Sequence, residues 1–484
     1  MQIDHGPGGD GLWSPKRRVL TGGLVLTITL VAFESLAVST VLPIVALELG
    51  DKELYGWVLA AFFLGSLIGV AIVGGTVDRG TLGRPFAVGL SLFGVGLLIG
   101  GLAPSMPVLI AARFIQGLGA GTIPPIAYVA IGRSLPESLR PRMFATLSTA
   151  WILPGVIGPA LAGLVGETLG WRYVFLGLLP FIAVAGFLTY HAIASVRVPD
   201  ATAADEHMAG TASRRRLPFA LLVSLGAGLL MAGLSLGDLL PTVALVGLGL
   251  LVGLPALLRL TPPGTLMARP VLPAAVLLRG ILCCSFFGVD AYVTLTLEDW
   301  RGLSAIAAGV VLTAATLSWT SGSWIQARNA ERWPTRHFVR AGFLVVILGL
   351  AQFSLVLLPG VPVWLAVPTF AVAGFGMGLA YAPLALIVLR EAPAASQGTM
   401  SSALSLMDIL GTAIGIGVSG AFVAASLRSS DQAGPGLAVA FWVAILVGVG
   451  GLALSGRLRV ARPAVDFGRP EPPTPGAAPR PQEV

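Results

Sequence analysis

The stretch RFIQGLGAG, residues 113–121, places an arginine inside an apolar segment that is long enough to cross a bilayer. A charged side chain at the centre of a membrane helix costs about 2.5 to 3.5 kcal/mol on insertion scales. Arg113 is therefore a candidate functional residue, and it needs a partner inside the membrane. That partner must be another residue of the same chain.

The composition is that of a polytopic membrane protein. Hydrophobic residues make up 55% of the chain and charged residues 11%, and apolar runs long enough to span a bilayer recur along it. A net charge of +7 in such a chain indicates basic cytoplasmic loops rather than nucleic-acid binding. The first apolar run, from Val19, is too long for the core of a cleavable signal peptide. We expect the N-terminus to be retained.

No pattern in the sequence indicates catalysis, a metal site or a cofactor. The two cysteines, Cys283 and Cys284, are adjacent inside an apolar run, with no histidine or further cysteine at metal-ligand spacing, so we interpret them as packing residues. The sequence contains no nucleophile triad, phosphate loop or dinucleotide fingerprint. We therefore expect neither an enzyme nor a cofactor-binding protein.

The apolar runs predict fourteen spans in the order six, two and six. The predicted domains are a cytoplasmic tail (1–18), a first six-helix bundle (19–194), a solvated linker (195–216), two central helices (217–259), a second linker (260–272), a second six-helix bundle (273–459) and a disordered, proline-rich cytoplasmic tail (460–484).

The distribution of basic residues supports this count. With both termini in the cytoplasm, twenty-five of the thirty arginines and lysines fall inside and four outside, which leaves Arg113 in the membrane. Such an asymmetry follows the positive-inside rule. In this assignment Arg279 is an interfacial residue that snorkels to the membrane surface.

The two six-span blocks have the organisation of a repeat. The first span of block one contains FESLAVSTVLP with Glu34, and the first span of block two contains FGVDAYVTLTL with Asp290. Each acid lies in the outer half of its helix. Corresponding acids in corresponding helices favour a duplicated transporter that binds its substrate near the membrane midplane.

Four motifs give the chain a family resemblance: GGTVDRGTLGRP (74–85), RFIQGLGAG in span four, WILPGVIGPALAG (151–163) in span five, and WRYVF (171–175). With them, block one resembles the major facilitator superfamily, specifically its fourteen-span drug/proton antiporter branch. Block two resembles it through GSWIQARNAERWPTR, where Gly322 and Arg328 fall where the loop motif would repeat. The resemblance implies an all-α polytopic membrane protein with 14 transmembrane helices in two pseudo-symmetric six-helix bundles.

The resemblance also implies two groups of functional residues. A conformational latch would consist of Asp78, Arg79 and Arg84 in the loop after span two, although this loop has two more residues between Asp78 and Gly83 than the usual pattern. An antiporter motif in span five would consist of Gly155, Gly158, Pro159 and Gly163, which remove bulk and break helix regularity. The alternatives are an ordinary positive-inside loop and ordinary glycine packing.

Depth along the helices identifies Glu34 as a candidate partner of Arg113. At 1.5 Å per residue, Arg113 lies about 9 Å and Glu34 about 14 Å below the outer membrane edge. We predict that they form a charge pair similar to that of proton-coupled multidrug transporters. Burial favours the protonated carboxyl and a nearby arginine favours the carboxylate, so a substrate can displace the proton. Asp290 and Asp408 are further candidates for proton or cation binding, or they form local hydrogen bonds.

Six further side chains are candidates for lining a substrate cavity, or else are packing or interfacial residues: Gln116, Tyr128, Trp151, Tyr292, Trp319 and Tyr381. The sequence thus predicts a proton-coupled multidrug exporter in a bacterial cell membrane, functional as a monomer, with a small-molecule substrate, protons and the bilayer as its partners. The alternatives are a facilitator or importer of one metabolite and a non-transporting membrane receptor or scaffold.

Overall fold

The computed structural model describes residues 11–50, 54–78, 81–194, 196, 203–236, 239–430 and 432–458, and every regular element in these ranges is a helix. The predicted C-terminal tail, most of the predicted N-terminal tail and Arg79 of the predicted latch lie outside these residues.

Fourteen helical segments follow one another in the described chain, in the predicted order of six, two and six. Block one contains α1 (Arg18–Leu49), α2 (Tyr55–Val77), α3 (Gly83–Gly101), α4 (Met106–Ser134), α5 (Glu137–Gly170) and α6 (Arg172–Ile193). The central pair is α7 (Ala203–Ser235) and α8 (Leu239–Leu260). Block two contains α9 (Leu272–Trp300), α10 (Ala305–Asn329), α11 (Thr335–Leu357), α12 (Val363–Glu391), α13 (Gln397–Ser430) and α14 (Gly434–Leu458).

The number of segments fits a protein that crosses the membrane many times. Thirteen of the described segments are long and apolar enough to span a membrane by length and composition. The remaining one, α10, is a continuous helix of 25 residues, about 37 Å at 1.5 Å per residue, and completes the predicted fourteen.

The two blocks share one packing pattern. In block one, α4 packs against α2 and α3, while α1 packs against α5 and α6. In block two, α12 packs against α10 and α11, while α9 packs against α13 and α14. Each helix of block one therefore corresponds to the helix eight places later, as expected for a duplicated bundle.

Glycines on α4 allow this helix to touch the backbone of α2. A Cβ atom built on Gly117 would lie 2.1 Å from the carbonyl oxygen of Phe62, and one on Gly121 would lie 2.3 Å from that of Ser66. Any side chain at these positions would force the helices apart. Small residues spaced four apart are a common means of close packing between membrane helices.

The same contact recurs in block two with the same spacing. A Cβ on Gly374 of α12 would lie 2.3 Å from the carbonyl oxygen of Ala315, and one on Gly378 would lie 2.1 Å from that of Trp319. These glycines stand 257 positions after those of α4. This spacing, called the repeat register below, identifies which residues of α4 and α12 correspond.

The central pair is a helical hairpin that lies beside both blocks. α7 and α8 pack closely where Gly226 faces Gly253, because a Cβ on Gly226 would lie 2.6 Å from the Cα of Gly253. α7 also packs against α2 of block one and α13 of block two. Its helix begins at Ala203, inside the segment predicted to be a solvated linker.

The two blocks contact each other at the face of the bundle that carries the α2–α3 and α4–α5 loops, called the basic face below. The indole nitrogen of Trp324 in α10 donates to the hydroxyl of Thr149 in α5 at 3.0 Å. An exposed ion pair joins Arg390 of α12 to Glu137 of α5 at 3.2 Å. These contacts close the blocks against each other at this face.

The glycine contacts lead to a prediction about stability. We expect Gly117→Ala to destabilise the protein by about 1–3 kcal/mol, because the methyl group overpacks the contact with α2. Gly163→Ala is the matched control, since no other atom lies within 4 Å of a Cβ built there. Thermal melting in detergent should show a lower midpoint for Gly117→Ala only. Equal midpoints for the two variants would contradict the assigned packing.

Candidate functional site

Glu34 and Arg113 form an ion pair inside block one. The carboxylate of Glu34, on α1, is completely buried and accepts a hydrogen bond from the guanidinium of Arg113 on α4. Gln116, one turn along α4, donates to the same carboxylate oxygen at 2.8 Å and accepts a bond from Arg113 at 2.7 Å. Gln116, predicted to line a substrate cavity, is therefore the third member of this cluster.

Helix α2 covers the other side of the guanidinium. The Nε atom of Arg113 donates to the carbonyl of Val58 at 3.4 Å, and the guanidinium carbon lies 4.4 Å from the ring centroid of Phe62. An aromatic face attracts a cation at this distance. The cluster thus draws on α1, α2 and α4, and the glycine contact between α2 and α4 brings Phe62 within reach.

One oxygen of Glu34 differs from the other. Oε1 accepts both hydrogen bonds, whereas Oε2 is buried and has no hydrogen-bond donor among the described residues. A carboxylate oxygen in this state can take up a proton without losing an existing bond. The arrangement is chemically suited to reversible protonation.

A second buried ion pair lies in block two. Arg279 of α9 is completely buried and lies 3.3 Å from the carboxylate of Asp408 on α13. Its guanidinium also donates to the carbonyl of Tyr381 and stacks over the ring of the same residue. The prediction that Arg279 snorkels to the interface is wrong, because partners from other helices surround it inside the bundle. Arg279 is therefore not one of the loop arginines. The distribution of the other arginines between the two sides of the membrane is still strongly asymmetric.

This second pair connects the two blocks. Arg279 donates to the hydroxyl of Tyr128 on α4 of block one at 3.1 Å. Asp408 accepts bonds from the hydroxyl of Tyr381 at 2.6 Å and from the thiol of Cys283 at 2.7 Å. Cys283, which the sequence indicated as a packing residue, is also a hydrogen-bond donor to Asp408.

Asp290 has no such partner. It is the last residue of the first helical stretch of α9, and no described residue forms a hydrogen bond or an ion pair with its side chain. In the repeat register the position of Arg113 corresponds to Phe370, and that of Gln116 corresponds to Ala373. Phe370 stacks on Phe286, with ring centroids 5.5 Å apart. Block two therefore has the acid without the arginine.

Asp78, predicted as part of a loop latch, bonds to the other block. Its two carboxylate oxygens accept hydrogen bonds from the backbone nitrogens of Gly398 at 2.6 Å and Thr399 at 2.9 Å, at the N-terminus of α13. Burial raises the pKa of Asp78, while the bonds from Thr399 and Gly398 and the charge of Arg133 act to lower it. Arg84 is exposed at the start of α3.

The residues of the span-five motif face in different directions. Gly158 is buried against Phe33 of α1, with a built Cβ 3.7 Å from its ring, and Gly155 faces Thr316 of α10 at 3.7 Å. Pro159 is exposed, and Gly163 meets no other atom within 4 Å. The motif thus brings α5 close to one helix of each block.

The remaining candidates for a substrate cavity divide into two groups. Trp319 packs edge-on against Tyr381, with centroids 5.2 Å apart, so it belongs to the surroundings of the second ion pair. Tyr292 donates to the carbonyl of Ile416 on α13 at 3.0 Å, and Trp151 is 45% exposed at the break in α5. A cavity of about 370 Å³ lies elsewhere, between α3 and α6.

Comparison with known proteins assigns the family. A sequence model described as Major Facilitator Superfamily matches residues 24–416, from α1 into α13. The chain belongs to the major facilitator superfamily. It is therefore a multi-pass membrane transporter of small molecules rather than an enzyme, as the sequence predicted.

Relatives of this major facilitator include bacterial proteins whose descriptions name multidrug efflux or multidrug resistance. A probable multidrug-efflux transporter of Mycobacterium tuberculosis is 28% identical over 450 residues, which cover 89% of this chain and 92% of the relative. Multidrug resistance protein 3 of Bacillus subtilis is 23% identical, with coverage of 82% and 78%. The human organic anion transporter MFSD10 has the same fold, with a TM-score of 0.67 at 13% identity over 91% of this chain and 99% of that one.

The burial of the first ion pair predicts strong coupling between its members. We expect Arg113→Gln to destabilise the protein by about 3–5 kcal/mol near pH 8, because it leaves a buried charge without its partner. Adding Glu34→Gln should recover part of this loss, and acidic pH should do the same by protonating Glu34. Thermal melting of the single and double variants measures the coupling.

The control for this cycle is the pair Glu48 and Arg172, whose side chains are 50% and 36% exposed. Glu48→Gln lies on the same helix as Glu34 and should cost about 0–1 kcal/mol. Strictly additive effects of Glu34→Gln and Arg113→Gln would show that the two side chains do not stabilise each other.

Proposed function

We propose that this major facilitator exports hydrophobic or cationic small molecules in exchange for protons. The observation that carries the proposal is the buried carboxyl of Glu34, which is bonded to Arg113 through one oxygen and has no hydrogen-bond donor at the other among the described residues. The relatives described by multidrug efflux and by multidrug resistance support the substrate class. We also propose that the protein lies in a bacterial cell membrane and functions as a monomer.

In the proposed cycle, Glu34 alternates between two partners. As a carboxylate it pairs with Arg113, and this pair offsets the high cost of an isolated charge in the membrane. When Glu34 takes a proton, its attraction to Arg113 weakens, and the carbonyl oxygen of Gln116 still accepts a bond from the guanidinium. A cationic substrate and a proton thus compete for one negative charge, which links export to proton entry.

Two further acids have proposed roles in the same cycle. Asp408 forms an ion pair with Arg279 that touches Tyr128 of the opposite block, so its protonation would change a contact between the blocks. Asp290 lies on α9, the helix of block two that corresponds to α1, but it lacks an arginine partner. We propose that Asp290 binds a proton or a substrate cation without a permanent partner.

Alternating access needs a gate, and we propose that Asp78 belongs to it. The arginine-rich loops favour a cytoplasmic basic face, with both termini on that side. Asp78 holds the N-terminus of α13 through two backbone bonds, where the helix dipole favours a negative charge. These bonds must break when the blocks separate at this face, so they stabilise the state that is closed to the cytoplasm.

The function can be tested in proteoliposomes that contain the protein. An imposed pH gradient should drive the transport of a fluorescent organic cation across the vesicle membrane. We expect Glu34→Gln to lose gradient-driven transport, because it cannot exchange a proton at this site. Glu48→Gln should transport like the unmodified protein. Gradient-driven transport by Glu34→Gln would refute the coupling role, and equilibration without any gradient would identify a facilitator. Movement in the opposite direction would identify an importer.

The gate can be tested by measuring a distance across the basic face. We place one spin label at Ser138→Cys in block one and one at Ala395→Cys in block two, and call these two labels the gate pair. Both positions are exposed. Cys284→Ala removes the less buried native thiol. We expect Asp78→Ala to increase the long-distance population, because it removes both bonds to α13. Glu137→Gln, which breaks only the exposed pair with Arg390, should leave the distribution unchanged. An unchanged distribution in Asp78→Ala would exclude a gate role.

A further inference from the structure

We infer that the central helix pair forms part of the gate, and that Arg216 of α7 is the residue through which it acts. This inference rests on the alternating-access cycle proposed above. The two central helices then have a mechanical task at the basic face, because they hold the two blocks together when the gate is closed.

The hairpin is placed to sense the separation of the blocks. One apolar cluster joins residues from four helices, two of them in different blocks: Leu67, Ile68, Val70 and Ala71 of α2; Ala220, Val223 and Ala227 of α7; Ala256 and Leu260 of α8; and Leu406 and Leu410 of α13. The hydroxyl of Ser224 on α7 also donates to the carbonyl of Leu64 on α2 at 3.0 Å. The hairpin therefore packs more extensively on α2 than on α13.

Arg216 connects the hairpin to the same helix end that Asp78 binds. Its guanidinium donates to the hydroxyl of Thr399 on α13 at 3.0 Å and to the carbonyl of Leu260, the last residue of α8, at 3.2 Å. The guanidinium also lies close enough to Asp78 for electrostatic attraction. Asp78 thus accepts hydrogen bonds from the backbone and from the side chain of Thr399, and Arg216 donates to the hydroxyl of the same residue.

The space for this guanidinium is created by a glycine on α2. A Cβ atom on Gly74 would lie 2.5 Å from the hydroxyl of Ser402 on α13 and 3.0 Å from a terminal nitrogen of Arg216. A larger residue would displace either α13 or the arginine. Gly74 therefore permits the close approach of α2, α7 and α13 at one point.

These contacts distinguish the two states of the gate. If α13 moves away from α2 at the basic face, the hairpin remains with α2, where most of its apolar contacts lie, and the bond from Arg216 to Thr399 breaks. The bond to Leu260 lies within the hairpin and survives. Arg216 thus contributes its interaction with α13 only when the gate is closed, which is the requirement for shifting a two-state equilibrium.

The neighbouring residue provides a matched control. Arg214, Arg215 and Arg216 form a run in which the first two are exposed and only Arg216 reaches α13. A purely electrostatic role as cytoplasmic loop charges would make the three equivalent. The inference requires that they differ.

The test uses the gate pair in the full-length protein. We expect Arg216→Gln to raise the ratio of open to closed populations by about tenfold, the effect of one lost hydrogen bond to a charged group. Arg215→Gln, which also removes one positive charge, should leave the ratio unchanged. Thr399→Val should shift the ratio at least as far, because it removes the bond from Arg216 and the side-chain bond to Asp78. Arg216→Gln combined with Thr399→Val should add little to Thr399→Val alone.

Each outcome decides the inference. A shift in Arg216→Gln and Thr399→Val, without a shift in Arg215→Gln, supports it; equal behaviour of Arg215→Gln and Arg216→Gln, or an unshifted Thr399→Val, overturns it. If Arg216→Gln does not fold, Arg216→Lys, which keeps the positive charge but lacks the planar guanidinium that bonds both Thr399 and Leu260, replaces it in the same comparison. The distance measurement needs no substrate or pH gradient. Failure of proton-coupled efflux would therefore contradict the proposed function alone, whereas unshifted distances would contradict only the role of Arg216.

Discussion

The ion pair between Arg113 and Glu34 is the constraint on which block one depends. A guanidinium in the apolar interior must have its charge and its donors satisfied, and three helices supply the partners. α1 gives the carboxylate of Glu34, α4 gives Gln116, and α2 gives the carbonyl of Val58 and the ring of Phe62. These partners can converge only because α4 lacks side chains where it meets α2. The glycine contact between α2 and α4 is therefore a requirement for the buried ion pair.

Block two repeats the glycine contact between corresponding helices but contains a different buried ion pair. Gly374 and Gly378 reproduce the contact between corresponding helices, but the buried arginine is now Arg279 on α9 and its partner is Asp408 on α13. The duplicated fold is thus symmetric in packing and asymmetric in charge. The first pair lies entirely within its own block, whereas the second includes a contact to Tyr128 across the boundary between blocks.

The sequence was sufficient to predict the features that are local or follow from depth. The span order came from apolar runs and loop charge, and the candidate pairing of Glu34 with Arg113 came from counting residues along two helices. The burial of Arg279 does not follow from the sequence, because this residue lies near the start of α9, where a long side chain could reach the surface. Its actual partners, Tyr381 and Asp408, lie more than 100 residues later, and no local pattern indicates them. The ligands of Asp78 are backbone nitrogens of α13, which carry no side-chain signal in the sequence at all.

A proton bound at one site can shift the whole molecule only if its binding differs between the two states. Glu34 belongs to block one and contacts no residue of block two directly in the described hydrogen bonds and ion pairs, so its protonation must act through a helix that reaches the other block. α4 meets this condition because it carries both Arg113 and Tyr128. The two residues are fifteen positions apart, about 22 Å along the helix at 1.5 Å per residue. If release of Arg113 displaced α4, the contact of Tyr128 with Arg279 would change with it. The two buried ion pairs would then act as one coupled system rather than as independent proton sites.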